Sequence, residues 1–360
     1  MRERTLPHRP RLRAGLAVLA RRAGELQIGL DPRRALVISG LPEPVLAAAT
    51  DLTGGRTTDE VVAGVGPPHE EVLLDLLADL VDHGLLDDDA VPGPRVPLRL
   101  AGDAATATLH PGLPPPAERA DYRVLVRGDG RLAVAVAGLL AVAGVGRLHV
   151  AARGTVRAED VGTGYLVEDI GRPRQVAGPE AVRRAEETAG VRRFARFRPD
   201  LVVLTDALVP EPSTVVDLVT DGQAHLAVRV RDGVGIVGPL VVPGASGCLH
   251  CADHHRTDLD PCWPRIAAQL AGRALPTDLA TAHVTAGLAV TQVLHAVAWL
   301  RDPTAQPPRT WNTTLEVNPF TAAVDHRRWQ PHPDCRCGAA THPTYRHLLR
   351  HSRPAGAKRA

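Results

Sequence analysis

Lysine is all but missing: Lys358 is the only one in 360 residues, while Arg, Ala, Val and Gly abound, the mark of GC-rich codon usage rather than of arginine chemistry. Any mechanism that needs a buried lysine is therefore excluded. An excess of either charge is missing too. The net charge is +2 with 23% charged residues, so the totals give no reason to expect nucleic acid or a membrane as partner. No run of about 18 apolar residues is expected to span a bilayer. The basic stretch Met1 to Arg13 is not followed by a secretory core with small-residue cleavage signals. The reading is a cytoplasmic protein that binds neither nucleic acid nor membrane.

Cysteine is scarce but clustered. Four of the five form two tight pairs, Cys248-Leu-His-Cys251 and Cys335-Arg-Cys337. In a reducing compartment such clusters are metal ligands more often than disulfides, and Cys-x-Cys spacing would strain a local bridge. Brought together, the four thiolates match the tetrahedral geometry of zinc, with His250, His254, His255 and His332 as substitute ligands. Four protein ligands leave no position for an activated water, so the metal is expected to be structural, clipping the C-terminal segment to the body. Buried free thiols are the bland alternative.

Residues 14–89 read as a unit of their own. Strand-like stretches at Glu25 to Gly29 and Arg34 to Ser39 precede helical stretches at Glu43 to Leu52, Thr57 to Val65 and His69 to His83. Thr57 and Glu60 have the spacing of a capping box, and Gly84 follows the third helix as a C-cap. This order suggests a winged helix. Residues 90–120, with Pro114-Pro115-Pro116, read as a linker. Across 121–338 apolar strands alternate with helices: Tyr122 to Val126, a helix at Arg131 to Ala143, then Arg147 to Ala151, Leu201 to Thr205 and Ala224 to Val230. A long helix at Asp278 to Leu300 and a strand at Trp311 to Val317 follow. The fold class is α/β with a mostly parallel, Rossmann-type sheet covered on both faces. The tail 339–360 is basic and expected to be disordered.

Strand Tyr122 to Val126 runs into Gly128-Asp129-Gly130, where a dinucleotide or ATP loop would sit. The third glycine is missing, Asp129 puts negative charge where phosphates approach, and Val150-Ala151-Ala152 lacks a ribose-binding carboxylate. A tight turn left from a nucleotide-binding ancestor is the better reading of Gly128 and Gly130. Cys262, in a His- and Asp-rich stretch expected as a loop at Ala252 to Pro264, is either a nucleophilic thiol or a small space filler beside Trp263. Residues 14–89 carry five arginines against fourteen Asp and Glu, and the stretch His69 to His83 has neither arginine nor lysine. Phosphates would repel such a recognition helix. Strand-edge peptide binding fits better, with Leu36, Val37 and Ile38 on the strand and Leu74, Ala78 and Val81 on the helix as candidate contacts. Packing of that flank against the second domain is the alternative.

The C-terminal two thirds resembles the ThiF-like, ubiquitin-activating superfamily. The resemblance lies in the strand and degenerate glycine loop, Glu168-Asp169-Ile170-Gly171-Arg172-Pro173-Arg174, Pro199-Asp200-Leu201-Val202-Val203-Leu204-Thr205-Asp206, and Gly238-Pro239-Leu240-Val241 ahead of the first cysteine pair. More closely, the pair with Asp253, Arg256-Thr257-Asp258, Asp260-Pro261 and Trp263-Pro264, and Trp329-Gln-Pro-His332-Pro-Asp-Cys335-Arg-Cys337-Gly338, is similar to the cyclodehydratase-associated proteins of thiazole/oxazole-modified microcin (TOMM) biosynthesis. The acidic N-terminal unit resembles the RiPP recognition element fused to that group. The likeness covers residues 14–338. It implies a protein that binds the leader of a ribosomal precursor peptide and presents it to a YcaO-type cyclodehydratase, which binds ATP and forms the azolines. ThiF-like folds often dimerise, so a homodimer is a further implication. The enzyme alternative is an adenylyltransferase that activates a peptide carboxylate and passes it to Cys262 as a thioester.

Overall fold

The computed structural model describes residues 6–13, 15–33, 35–90, 96–110, 112–192, 194 and 198–345. Two units follow, one of residues 1–111 with 115–117 and one of 112–114 with 118–360.

In the first unit, β1 (Pro10–Leu12), β2 (Val18–Ala20), β3 (Glu25–Ile28) and β4 (Leu36–Ser39) precede α1 (Glu43–Thr50), α2 (Thr58–Val65), α3 (Glu70–Asp82) and β5 (Leu86–Asp88). β2, β3 and β4 form an antiparallel sheet in that order, and β1 pairs with β5. Thr57 caps α2 as its spacing predicts: its hydroxyl accepts from the Glu60 N–H at 3.2 Å, and the Glu60 carboxylate accepts from the Thr57 N–H at 2.7 Å. Gly84, at φ +65°, ends α3 with its N–H on the Val81 carbonyl, a conformation glycine adopts without strain. Leu73, Leu76, Leu77 and Leu80 form the buried stripe of α3, with Leu26, Ile28, Val45 and Ala49 opposite.

The expected start at residue 14 falls inside this unit, because β1 lies before it and closes on β5. The backbone N–H groups of His8 and Arg9 donate to the Asp88 carboxylate at 2.8 and 2.9 Å, which holds Asp88 below the usual carboxylate range. The expected linker is also partly ordered: α4 (Ala101–Leu109) and the short α5 (Pro116–Arg119) occupy it. Arg34, expected in a strand, lies outside the described residues, as does most of the basic tail.

The second unit runs β6 (Arg123–Arg127), α6 (Arg131–Val142), β7 (Arg147–Ala151), α7 (Arg174–Ala185), β8 (Gly190–Val191), β9 (Leu201–Thr205), α8 (Pro212–Thr220), β10 (His225–Arg231), β11 (Val234–Val241), α9 (Leu249–Leu259), α10 (Trp263–Leu270), α11 (Leu279–Arg301), β12 (Thr313–Asn318) and β13 (Ala323–Arg328). Its eight strands lie in the order β13-β12-β11-β10-β9-β6-β7-β8. The five from β8 to β10 are parallel, and β11, β12 and β13 add antiparallel neighbours.

β9 shows why the parallel part reads as an unbroken apolar run. Leu201 and Val203 enter the core under α6 and α11, whereas Val202 and Leu204 enter the core shared with Val215, Cys248, Leu249 and Cys251. Both faces are dry, so no position alternates to polar. The 23-residue α11, expected from the sequence as a long helix at Asp278 to Leu300, has the length and mean hydropathy of a membrane span. Here Ala286, Ala289, Val293, Leu294 and Val297 are built into the sheet's core.

Candidate functional site

The order of β6, β7 and β9 sets the first feature. From β6 the chain moves outward to β7 and β8, then returns to place β9 on the other side of β6, and ligands of open α/β sheets bind at such a reversal. A cavity of about 850 Å³ opens there over the strand ends, reaching Arg127, Gly128, Asp129, Arg153, Asp206 and Glu211.

Gly128 and Gly130 both face Asp206, quoted from the sequence as the end of a motif but given no role at this loop. Neither glycine has a positive φ. Their requirement is space: a β-carbon at Gly128 would strike the Thr205 hydroxyl and the Asp206 carboxylate, and one at Gly130 would strike that carboxylate too. Asp206, at φ +70°, is buried. Its carboxylate accepts from the Leu132 N–H at 3.1 Å and from the Thr205 hydroxyl at 2.8 Å. It thus occupies the positive end of α6, the place where a helix holds an anion. Burial nevertheless pushes its pKa up, against those hydrogen bonds. Asp129 accepts from the Arg153 N–H at 2.5 Å. A triphosphate would meet both carboxylates.

Gly128→Ala should therefore cost about 1–3 kcal/mol of stability through overpacking, with no nucleotide present. Urea unfolding of the wild type and variant measures it. Equal midpoints would show that the glycine answers to something other than Asp206.

The four paired cysteines converge. Cys248 Sγ lies 3.7 Å from Cys251 and 3.6 Å from Cys335, and Cys251 lies 3.5 Å from Cys337. All four sulfurs are within 4.8 Å of one another. Tetrahedral ligands about 2.3 Å from zinc stand about 3.8 Å apart, so the group fits a metal ion with little movement. Four thiolates at this spacing repel one another unless a cation lies between them. Local structure explains the meeting: Cys248 caps α9, Cys251 is on its first turn, and the Cys335 N–H bonds the His332 carbonyl in the turn after β13.

Two expectations fail here. The stretch from 252 is helical, because α9 continues to Leu259, and Cys262 is exposed rather than a space filler. Cys262 starts α10, where its N–H donates to Asp260. Trp263 is held instead by Asp253, which accepts its indole N–H at 3.0 Å, and by the Arg256 guanidinium over its ring.

In the first unit β4 is an edge strand. The Arg21 N–H bonds the Glu25 carbonyl and the Gly29 N–H bonds the Ala17 carbonyl, so the odd residues of β3 point their backbone groups at β2. The even residues bond β4, pairing Leu26 with Ile38 and Ile28 with Leu36. Val37 and Ser39 consequently aim N–H and C=O away from the sheet. Val37 is 42% exposed, while Leu36 and Ile38 lean on the core. On α3, Leu74 and Val81 are half-buried and Ala78 is already buried.

Among solved structures the chain is similar to E. coli MccB bound to AMPCPP and selenomethionyl MccA, with a TM-score of 0.68 at 14% identity over 92% of this chain and 99% of that one. The microcin C7 biosynthetic enzyme MccB in complex with N-formylated MccA gives 0.66 at 14% identity, over 91% and 99%. Selenomethionyl PaaA gives 0.64 at 16% identity, over 88% and 99%. No family model and no curated protein sequence matches the chain. The likeness establishes a shared fold, and an overlap this large reaches into the N-terminal unit.

Proposed function

We propose that this protein is the leader-binding, ThiF-like partner subunit of an ATP-dependent YcaO-type cyclodehydratase, working in the cytoplasm on a ribosomal precursor peptide that receives azoline heterocycles in the TOMM manner. The observation that carries the proposal is the outer edge of β4. Val37 and Ser39 offer backbone donors and acceptors to an extended peptide, which would become the fourth strand of the sheet and turn side chains toward Leu74 and Val81 on α3, in a winged-helix unit acting as recognition element. Holding the leader raises the effective concentration of the reactive segment near the partner enzyme without altering the chemistry. Zinc on Cys248, Cys251, Cys335 and Cys337 would anchor the C-terminal segment and supply no catalysis, since it has no free position.

The switch-point cavity fits this division of labour. Its anion position holds Asp206, Asp129 adds like charge, and none of its described lining residues is a lysine. ATP is therefore assigned to the partner. A second reading has one observation in its favour: the cavity is large enough for a nucleotide, and MccB has been solved with AMPCPP. In that case the chain would adenylate a peptide carboxylate and transfer it to Cys262, which is exposed as a nucleophile must be.

ATP–pyrophosphate exchange separates the two. The purified chain with precursor peptide should give no exchange above background, and Cys262→Ser should leave cyclisation by the reconstituted pair unchanged. Exchange by this chain alone, with Cys262→Ser keeping the exchange but forming no peptide thioester, would establish the adenylating reading.

A further inference from the structure

Beside the four cysteines a second set of ligand-type side chains converges. His255 and Asp258 stand three residues apart on α9, hence on one face of it, and His332 meets them from the turn after β13. One ligand atom from each lies within 4.8 Å of the other two. His332 Nε2 is 3.0 Å from Asp258 Oδ2. A simple ion pair would account for His332 and Asp258 but leaves the third group without a reason.

That third group is prepared as a ligand. His255 Nε2 lies 2.9 Å from the Gln330 carbonyl oxygen, which can only accept, so Nε2 carries the proton. Nδ1 keeps its lone pair and makes no hydrogen bond among the described residues. An imidazole whose far N–H is fixed by a backbone carbonyl is the arrangement that holds metal-binding histidines in place. His332 is buried and its ring locked: His254 stacks on it at 4.9 Å and 14°, and His255 meets it edge-on at 4.9 Å and 75°. Asp258 is 63% exposed, so the cluster is closed toward the protein and open toward solvent.

We propose that His255, Asp258 and His332 form a second metal site, for a divalent transition ion such as Zn²⁺ or Co²⁺. Two imidazoles and one carboxylate favour such ions over Mg²⁺ or Ca²⁺. Three protein ligands leave a coordination position for water or for an atom of a bound molecule, unlike the four-cysteine cluster. The two sites also help each other electrostatically. A dication held by four thiolates carries two net negative charges, and the second site, with one carboxylate, carries one positive.

Binding must change the tautomer of His332. Its Nδ1 now accepts the Asp334 N–H at 3.2 Å, which places the proton on Nε2 and toward Asp258. When the ion takes Nε2, the proton moves to Nδ1, the Asp334 N–H gives up that acceptor, and the Asp334 carboxylate, 3.9 Å from Nδ1, must swing closer to accept the new N–H. Asp334 is thereby a positioning residue.

Cobalt titration of the full-length, metal-stripped chain tests this, with Co²⁺ alone as the probe. Thiolate-to-cobalt charge-transfer absorption reports the cysteine site, and total bound metal reports both. The wild type should bind two equivalents, only one of them giving the thiolate band. His255→Ala and Asp258→Asn should each bind a single equivalent with that band intact, and Asp334→Asn should weaken the second equivalent by about tenfold. A wild type that binds one equivalent, or a second equivalent that survives both His255→Ala and Asp258→Asn, overturns the proposal. Loss of the thiolate band alone would count against the cysteine site and leave the second equivalent countable.

Discussion

Cys251→Ser should remove the cysteine-bound metal ion from the purified protein and lower its melting temperature by about 10 °C or more. Cys251 is fully buried between Cys248 and Cys337, at the junction of α9 with the segment after β13. Serine is a shorter and harder ligand, and its loss as a donor leaves three thiols crowded in a space shaped for an ion. Losing a metal clip belongs to the mutations that cost about 4–5 kcal/mol. A unit of this size loses about 2–4 °C for each kcal/mol. Acid should act in the same direction, because protons compete with the ion for thiolates as pH falls. Calorimetry with metal analysis reads both effects. Cys262→Ser is the internal control and should change neither, since Cys262 is exposed at the start of α10. Unchanged melting and full metal content in Cys251→Ser would mean that the four cysteines hold no ion.

The second large effect concerns β4. Leader peptide titrated against the full chain should saturate, and Val37→Pro should weaken binding at least tenfold, about 1.4 kcal/mol, with stability nearly unchanged. Register explains the separation of the two effects. Proline removes one N–H, and at Val37 that N–H faces the free edge rather than β3. An edge strand tolerates proline on its outward side. Ile38→Pro is the contrast: its N–H serves β3, so the sheet itself should be destabilised. Equal leader affinity for wild type and Val37→Pro would exclude pairing along this edge. The winged-helix reading of the unit would then lose its functional support.

Several elements were legible because their cause is local. Thr57 and Glu60 cap α2 through groups three residues apart, Gly84 ends α3 by its own freedom at positive φ, and β7 and β9 fall where apolar runs of strand length stand. Other elements left weaker traces. The β10–β11 hairpin turns at Asp232-Gly233, both with positive φ, a turn signal between apolar stretches that sequence reasoning passed over. α9 was mistaken for a loop because its face carries His and Asp in place of an apolar stripe, and polar periodicity is a poor guide to helix.

The convergence of the cysteines was readable in spacing alone, since two close pairs of thiols suit few roles other than metal binding. The α/β class was readable as well, since strand and helix lengths alternate along 121–338. What only the folded chain decided was which distant groups meet. Asp206 comes to the end of α6 from 74 residues beyond Leu132, and His332 comes to Asp258 from 74 residues beyond it. Separations of that length are set by strand order and by the turn after β13, which depend on the burial of both sheet faces. A linear pattern records the preferences of neighbours, whereas the occupied anion position, the free edge of β4 and the second ligand cluster arise from contacts that exist only after the core has closed.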